Sequence, residues 1–315
     1  MSARFGISVI WVVCLAFVSG CSEPVDDASA GSETSGLNLE AEIDPETSSV
    51  ILPGDRFKET EHETWILQSA ASAKMAQCAR EKYGIPWVAV SSPATPLPSQ
   101  TMWYELGPWT QQMANEFGNA KPMTEAELVA NGYIEEPADF AARREEKPHL
   151  ANASLPDDVI NTVTENCNAS ITAPELHFGD SKLYSGPGQQ ELNNSWELVK
   201  NDERATQAFD DLRQCYENRG LKVSNSGDAY FPFTVAGVDP YTINEQQILL
   251  ANEIVACKDE TDFIQRIVKI WAEKQAPIIE QYADELVAQR KTIDDGLDEA
   301  ETFIASHPDL FQTVR

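Results

Sequence analysis

Apolar residues are most regularly spaced in the C-terminal part of the chain, from Thr242 to Ala305. They recur there in steps of three and four, which places them on one face of an α-helix. Thr242 and Glu245 form the pattern of a helix-capping box, and Pro277 is expected to kink the helix without ending it. The pattern predicts one very long amphipathic helix, whose apolar face includes Leu250, Ile254, Cys257, Ile264, Val268, Trp271, Ile278, Leu286, Ile293, Leu297 and Ile304.

The apolar face continues beyond Pro277, so this part of the helix must pack against a partner. We expect that partner to be the helix predicted at Glu61–Tyr83 of the same chain, because its small residues allow close approach. Another protein and a second copy of the chain are the alternatives. An apolar arm exposed outside the cell would favour aggregation, which is why we expect packing within the chain.

Two further helices are predicted to end in the same way. The first begins at the capping box of Thr60 and Glu63 and ends at Gly84. The second runs from about residue 202 to residue 219 and ends at Gly220. Each contains a Gln-Cys pair shortly before its glycine. This indicates a weak internal duplication, or two separate uses of the same helix ending.

The remaining predicted elements are short. A helix is expected at about residues 156–166, and a shorter one follows a cap at Thr124. Strand patterns are thin, and the best are Val88–Val90 and Tyr230–Val235. We therefore predict a mainly α, disulfide-stapled helical domain with a very long C-terminal helix and a Pro- and Trp-rich loop region at residues 85–109.

The first twenty residues have the pattern of an export signal. Arg4 precedes an apolar run at residues 7–18, which is too short to span a bilayer comfortably. The run ends in Val18-Ser19-Gly20-Cys21, which resembles the lipobox of bacterial lipoprotein signal peptides. The resemblance implies that Cys21 becomes the first mature residue and carries a diacylglyceryl lipid, with palmitate among its acyl chains, as a membrane anchor. An ordinary secretory signal and a membrane-retained signal anchor are the alternatives.

Composition divides the chain into three parts. Residues 1–20 are the predicted lipoprotein signal peptide, residues 21–59 the lipidated cysteine with a disordered acidic tether, and residues 60–315 a helical extracytoplasmic domain. The middle part is rich in Ser, Asp, Glu, Gly and Pro and has few large apolar residues, so we expect it not to order itself. As a flexible coil it would hold the domain on the order of 30–35 Å from the membrane.

The chain is strongly acidic, with a formal net charge of −28. A surface of this charge repels nucleic acid and anionic lipid headgroups, so nucleic acid is excluded as a partner. We expect the lipid anchor to make the membrane one partner, and another envelope protein is the other partner class.

The six cysteines are expected to serve different purposes. Cys14 leaves with the signal and Cys21 takes the lipid, which leaves Cys78, Cys167, Cys215 and Cys257. Four cysteines in an exported domain imply two disulfides, for which three pairings are possible. We expect Cys215–Cys257 with Cys78–Cys167, because the first two lie on apolar faces of helices that must pack together.

Several short motifs follow the lipobox and the polar tether. They are the Gln-Cys helix ends, the Asn131-Gly132-Tyr133 turn, the single mid-chain Cys167, and Ala256-Cys257-Lys258-Asp259-Glu260 at the opening of a long helix. Together they resemble a family of secreted actinobacterial lipoproteins with no assigned activity. The resemblance implies export and this cysteine framework, and it supplies no catalytic residue. The glycine after Cys78 lies one position further on than the glycine after Cys215.

Patterns of catalytic or metal-binding residues are weak. The four histidines are scattered, and none has a second histidine or cysteine at ligand spacing. His62-Glu63 begins like the zinc-protease motif, but Ile66 occupies the place of its second histidine. Nothing singles out two of the 51 acidic residues as the carboxylate pair of a glycoside hydrolase. We therefore name no catalytic residue, metal or cofactor.

One stretch has the composition of a ligand-contacting surface. Trp87, Trp103, Tyr104 and Trp109 lie among prolines, and exposed aromatic rings on a rigid loop can stack on sugars or on a partner. The alternative is that these rings turn inward and form the small core of a loop-rich subdomain.

The expected function is that of a membrane-anchored lipoprotein at the outer face of the cell membrane, which acts by binding or scaffolding. The alternatives are an exported hydrolase of cell-wall glycan or peptide, and the substrate-binding lipoprotein of a transporter. A deep pocket with convergent carboxylates would favour the hydrolase, two α/β lobes would favour the transporter component, and an exposed apolar groove would favour the binding protein.

Overall fold

The computed structural model describes residues 37–91, 103–123, 128–129, 132–135, 137–138, 148–167, 186–227 and 230–313. Helices dominate these ranges, and the mainly α prediction is confirmed. In chain order they are α1 (Glu61–Tyr83), α2 (Trp103–Leu106), α3 (Gln111–Phe117), α4 (Pro148–Ala153), α5 (Asp157–Cys167), α6 (Pro187–Asn193), α7 (Ser195–Lys200), α8 (Glu203–Asn218), α9 (Glu245–Glu260), α10 (Phe263–Gln281) and α11 (Ala283–Ser306). Two 3₁₀ helices lie at Pro53–Phe57 and Pro308–Phe311.

The ends of α1 agree with the sequence prediction. The Thr60 hydroxyl accepts a hydrogen bond from the backbone N–H of Glu63, and the Glu63 carboxylate accepts one from the backbone N–H of Thr60 at 2.7 Å. Gly84 ends the helix at φ 65°, a left-handed conformation that glycine adopts without steric cost. The same device closes α8, where Gly220 has φ 77°. The Thr124 cap lies outside the described residues.

The C-terminal region is helical from residue 245 to residue 306, but it is not one continuous helix. It is divided into α9, α10 and α11 by breaks at residues 261–262 and at Tyr282. Asp262 has φ 49°, and a left-handed residue cannot continue a right-handed helix. Pro277 lies inside α10, which continues to Gln281 as the pattern predicted.

The predicted cap at the start of this region is also wrong by two residues. Asn244 caps α9, because its side chain accepts the backbone N–H of Gln247 at 2.9 Å. The Thr242 hydroxyl instead donates to the carboxylate of Asp239 at 2.7 Å. Asparagine is a better N-cap residue than threonine, so the helix begins after Asn244 and not after Thr242.

Helix α11 packs against α1, which confirms the expected packing within the chain. Leu286, Ile293, Leu297 and Ala300 are buried on its inner face. Seven residues of α1, mostly alanines, are buried as well, and small side chains allow two helix axes to approach closely. The apolar face beyond Pro277 therefore has its partner inside the molecule.

Two disulfides join distant parts of the chain in the predicted pairing. Cys78 is bonded to Cys167 and Cys215 to Cys257, with Cα–Cα distances of 5.8 and 5.7 Å. The first lies in a core cluster formed by α1, α5 and the C-terminal 3₁₀ helix. The second lies in the larger core cluster, where α8, α9 and α10 meet. Each disulfide thus fixes one of the two main hydrophobic clusters.

Residues 37–59 are folded, which corrects the expectation of a disordered tether up to residue 59. Strands β1 (Glu42–Asp44) and β2 (Ser49–Ile51) pair in antiparallel order, and Val50, Leu52 and Phe57 are buried. The few apolar residues of this stretch suffice because buried amides hold its backbone against the helices. Gly54 N–H donates to Gln275 Oε1 at 2.9 Å, and Gln289 Nε2 donates to the Phe57 carbonyl at 2.7 Å.

The two predicted strand patterns form little sheet. Only Thr234–Val235 of the second pattern is a strand, β4, and it pairs with β3 (Val223–Ser224). Val88–Val90 is extended without a strand partner among the described residues. The side-chain amide of Asn152 satisfies the Val88 backbone in place of a neighbouring strand. It donates a hydrogen bond to the Val88 carbonyl at 2.8 Å and accepts one from the Val88 N–H at 2.9 Å.

Candidate functional site

A surface cleft lies between α8 and the segment that leads into β4. Its volume is about 380 Å³, which is in the range of small-molecule sites. Apolar rings and charged groups share its walls, and the lining residues are Lys200, Thr206, Phe209, Asp210, Arg213, Phe231, Pro232 and Phe233. We call it the aromatic cleft.

Helical spacing places the α8 residues of the aromatic cleft. Thr206, Asp210 and Arg213 recur in steps of four and three, so they lie on one face of α8. Phe209 lies beside that face, and it is buried in the core cluster that contains the Cys215–Cys257 disulfide. The helix therefore presents both an apolar wall and charged groups to the same opening.

Three phenylalanine rings build the apolar wall. The ring centroids of Phe209 and Phe231 are 5.8 Å apart, those of Phe209 and Phe233 6.3 Å, and those of Phe231 and Phe233 6.1 Å. Each pair meets edge to face, with interplanar angles of 80°, 85° and 81°. This is the arrangement that aromatic quadrupoles favour, and it fixes the rings against one another.

Arg213 is a charged group of the cleft with most of its hydrogen-bonding capacity unused. Its guanidinium lies 4.5 Å from the centroid of the Phe233 ring, and its Nη1 donates to Asn225 Oδ1 at 2.9 Å. A guanidinium has five N–H donors and pairs well with planar anions. Among the described residues, no carboxylate lies within ion-pair distance of Arg213.

The other arginines in the described part of the chain all have carboxylate partners, at distances of up to 3.9 Å. The pairs are Arg56 with Glu42, Arg80 with Asp309, Arg204 with Asp202 and Glu273, Arg219 with Glu253 and Glu260, Arg266 with Asp211, and Arg290 with Glu63 and Asp294. An arginine without such a partner is unexpected in a chain with 51 acidic residues. Arg213 is therefore available to an anion from outside the chain.

Two more charged side chains line the cleft. Lys200 forms an ion pair with Glu197 at 2.7 Å, and Asp210 is exposed on α8. The charge of Lys200 is balanced by Glu197, so Arg213 and Asp210, three positions apart on α8, are the two charges of the lining without an ion-pair partner among the described residues.

A buried ammonium group lies close to the aromatic wall. Lys258, only 2% exposed, donates to the carbonyls of Leu106 and Pro108, the latter at 2.7 Å. Its Nζ lies 5.7 Å from the centroid of Phe231. Burial lowers the pKa of Lys258 from 10.5 to about 7, against the opposing charge of Asp259. The lysine ties α9 to α2 and to the loop after it, close to Phe231.

This arrangement can hold a ligand. The rings provide an apolar surface, and Arg213 provides charge-assisted hydrogen bonds. Among the lining residues, Asp210 is the single carboxylate, whereas glycoside hydrolysis requires a pair. In the described ranges, no three His, Cys, Asp or Glu side chains come close enough to hold a metal ion.

The aromatic residues singled out from the sequence lie elsewhere. Trp87 and Trp109 are both buried, in different core clusters, so they form no common surface. Trp87 also lines a second cavity of about 420 Å³, together with Ser72, Met75, Val90, Asn152, Ala153 and Ile160. Trp103 and Tyr104 begin α2, and their side chains lie outside the described part of the structure, as does Cys21.

Sequence reasoning missed the aromatic cleft. The segment Tyr230–Val235 was noted as a strand pattern, although three aromatic residues in four positions also signal a binding surface. Phe209 and Arg213 are four positions apart on a predicted helix, which is a second local signal. Their meeting with Phe231 depends on packing between distant segments, and no spacing rule predicts it.

Comparisons with protein-family models, curated proteins and solved structures gave no match to this chain. Among the helices described, none combines the length and the apolar character needed to cross a bilayer.

Proposed function

We propose that this protein is a lipid-anchored binding protein at the outer face of the cell membrane. Cys21 carries the anchor, and the aromatic cleft is the ligand site. The proposal keeps the function expected from the sequence and moves the candidate site from the tryptophan-rich loop to α8 and residues 231–233.

The observation that carries the export part of the proposal is the pair of disulfides. Cys78–Cys167 and Cys215–Cys257 use every cysteine of the described domain. Such bonds form and persist in oxidising compartments outside the cytoplasm. They support the export that the lipobox implies, and they leave Cys21 for the lipid.

The aromatic cleft supports binding over the two alternative functions. A hydrolase of glycan or peptide would need convergent catalytic groups, and the described lining residues offer one carboxylate and no histidine. A transporter-associated binding protein of the expected kind has two α/β lobes. The two sheets found in the described residues have only two strands each, which does not favour that alternative.

Metabolic labelling tests the anchor. The full chain, expressed in a bacterium supplied with an alkyne analogue of palmitate, should be labelled and should fractionate with membranes. Cys21→Ser should lose the label, because the thiol that takes the lipid is absent. Cys14→Ser is the matched control, since it removes a thiol from the same leader and should be labelled like the parent. Equal labelling of the Cys21→Ser variant would refute the anchor.

Incubation with purified cell-wall material tests the choice between binding and hydrolysis. The mature chain should release no sugar or peptide above the level of a heat-unfolded sample. Release that depends on the folded protein would support the hydrolase alternative.

A further inference from the structure

We propose that the aromatic cleft binds a small water-soluble molecule with a planar apolar ring system and one anionic group, and that the anion contacts Arg213. The inference rests on the proposed function and specifies its ligand class.

The anionic group of the ligand is inferred from Arg213, which has no carboxylate partner among the described residues. Every other arginine of the described residues is neutralised by carboxylates of the chain itself. Arg213 is held in place by Asn225 Oδ1 and by the Phe233 ring, which leaves most of its donors directed to no described acceptor. A pre-oriented guanidinium beside apolar rings binds a carboxylate, sulfonate or phosphate more strongly than an exposed one, because the surrounding dielectric is lower.

The planar apolar part follows from the three phenylalanine rings. Phe231 is the partly exposed ring of the three, and Phe209 and Phe233 are buried behind it at nearly right angles, so a flat ligand ring can stack on Phe231 against a fixed aromatic backing. The cleft volume of about 380 Å³ admits a molecule of two or three rings. A diacyl lipid is several times larger, which favours a small soluble ligand.

Dye binding tests the ligand class. The mature chain, residues 22–315, is exported from a cleavable signal without the lipobox, so that its disulfides form and no lipid is attached. The probe is 1-anilinonaphthalene-8-sulfonate, whose fluorescence rises in apolar sites. Its neutral counterpart is N-phenyl-1-naphthylamine, which has the same rings and no sulfonate. The sulfonate should bind the parent chain at least fivefold more tightly than the amine.

Substitutions of charged residues on α8 assign the anion to its contact. Arg213→Gln should raise the Kd of the sulfonate at least fivefold and change the Kd of the neutral amine by less than twofold. Arg213→Lys should restore part of the lost affinity for the sulfonate. Asp210→Asn should lower the Kd of the sulfonate, because it removes a like charge from the cleft wall. Arg204→Gln is the matched control, since Arg204 is also on α8, is not a lining residue and removes the same charge.

Competition separates ring ligands from acyl ligands. 2-Naphthoate should displace the dye at a lower concentration than octanoate does, and better displacement by octanoate would overturn the planar-ring assignment. Equal binding of the sulfonate to the parent and to Arg213→Gln, or an equal loss in Arg204→Gln, would overturn the role of Arg213. Thermal melts of each variant confirm that it is folded. Because this chain is unlipidated, failure here leaves the palmitate-labelling result for Cys21 intact.

Discussion

The guanidinium of Arg290 donates two hydrogen bonds to the carboxylate of Glu63, at 2.7 and 3.1 Å. The pair joins the last long helix, α11, to the first turn of α1, and Arg290 also donates to the Lys58 carbonyl at 2.8 Å. Both side chains are 22% exposed, so solvent screens the pair only in part. Burial raises the pKa of Glu63, but hydrogen bonds from Arg290 and Thr60 outweigh it and hold the pKa below the ordinary 4.5.

Glu63→Gln should lower the free energy of unfolding at pH 7 by about 1 kcal/mol. Glutamine preserves the capping box, so the loss reports the ion pair. Because the pKa of Glu63 is depressed in the folded state, its contribution is present above pH 4.5 and is lost as pH falls through the folded-state pKa. Urea titrations of both proteins over this pH range measure the difference. Asp295→Asn removes a more exposed pair on α11 and should change nothing measurable.

Lys258→Met should change how stability depends on alkaline pH. The pKa of Lys258 is about 7 in the folded protein and 10.5 ordinarily, so between these values the unfolded chain binds more protons. The parent should therefore gain stability as pH rises from 7 to 10, by up to ~1.4 kcal/mol per pH unit. The methionine variant should lack this increase, and Lys269→Met, at an exposed position of α10, should retain it. Parallel slopes for the parent and Lys258→Met would contradict the lowered pKa.

The two disulfides should contribute differently to stability. Their sequence separations are 89 residues for Cys78–Cys167 and 42 for Cys215–Cys257. The chain-entropy relation gives roughly 4.5 and roughly 4 kcal/mol for loops of these lengths. Paired alanine substitutions, followed by guanidinium unfolding, measure both contributions. Peptide mapping without reductant should find these pairs, and a Cys78–Cys257 peptide would show that the helices dock differently.

Leu297→Glu tests the packing of α11. Leu297 is 9% exposed against the core, and a carboxylate placed there loses hydration without gaining a partner. The melting temperature should fall by about 6 °C or more. Val287→Glu, at a position 38% exposed on the same helix, should cost far less. An unchanged melting temperature together with the loss of a dimer would show that this face serves an interface.

Local signals predicted the helix ends and the disulfides. The capping box at Thr60 and the glycine at position 84 act within a few residues, so the sequence alone suffices to locate α1. The pairing of Cys215 with Cys257 could also be expected, because both lie on apolar stripes that must meet. In each case the deciding interactions are close in sequence or follow from helical periodicity.

Features that depend on distant segments were not predictable in this way. The apolar stripe keeps its phase through residue 262, and neither glycine nor proline marks the break there. The folding of residues 37–59 depends on Gln275 and Gln289, more than 200 positions away. The aromatic cleft likewise needs α8 and residues 231–233 to pack together, and only the three-dimensional structure shows that they do.

The attachment of the segment that contains Gly54 and Phe57 to the long helices determines where tension from a membrane anchor would be transmitted to the domain. With Cys21 lipidated, residues 22–36 link the bilayer to the first described residue, and fifteen residues span at most about 54 Å. Tension along this link first reaches Leu37 and Leu39, which pack against the cluster that contains Ile278 of α10 and Leu286 of α11. The backbone of Gly54 and Phe57 is bonded to Gln275 and Gln289 of the same two helices, so the junction of α10 and α11 would resist the pull.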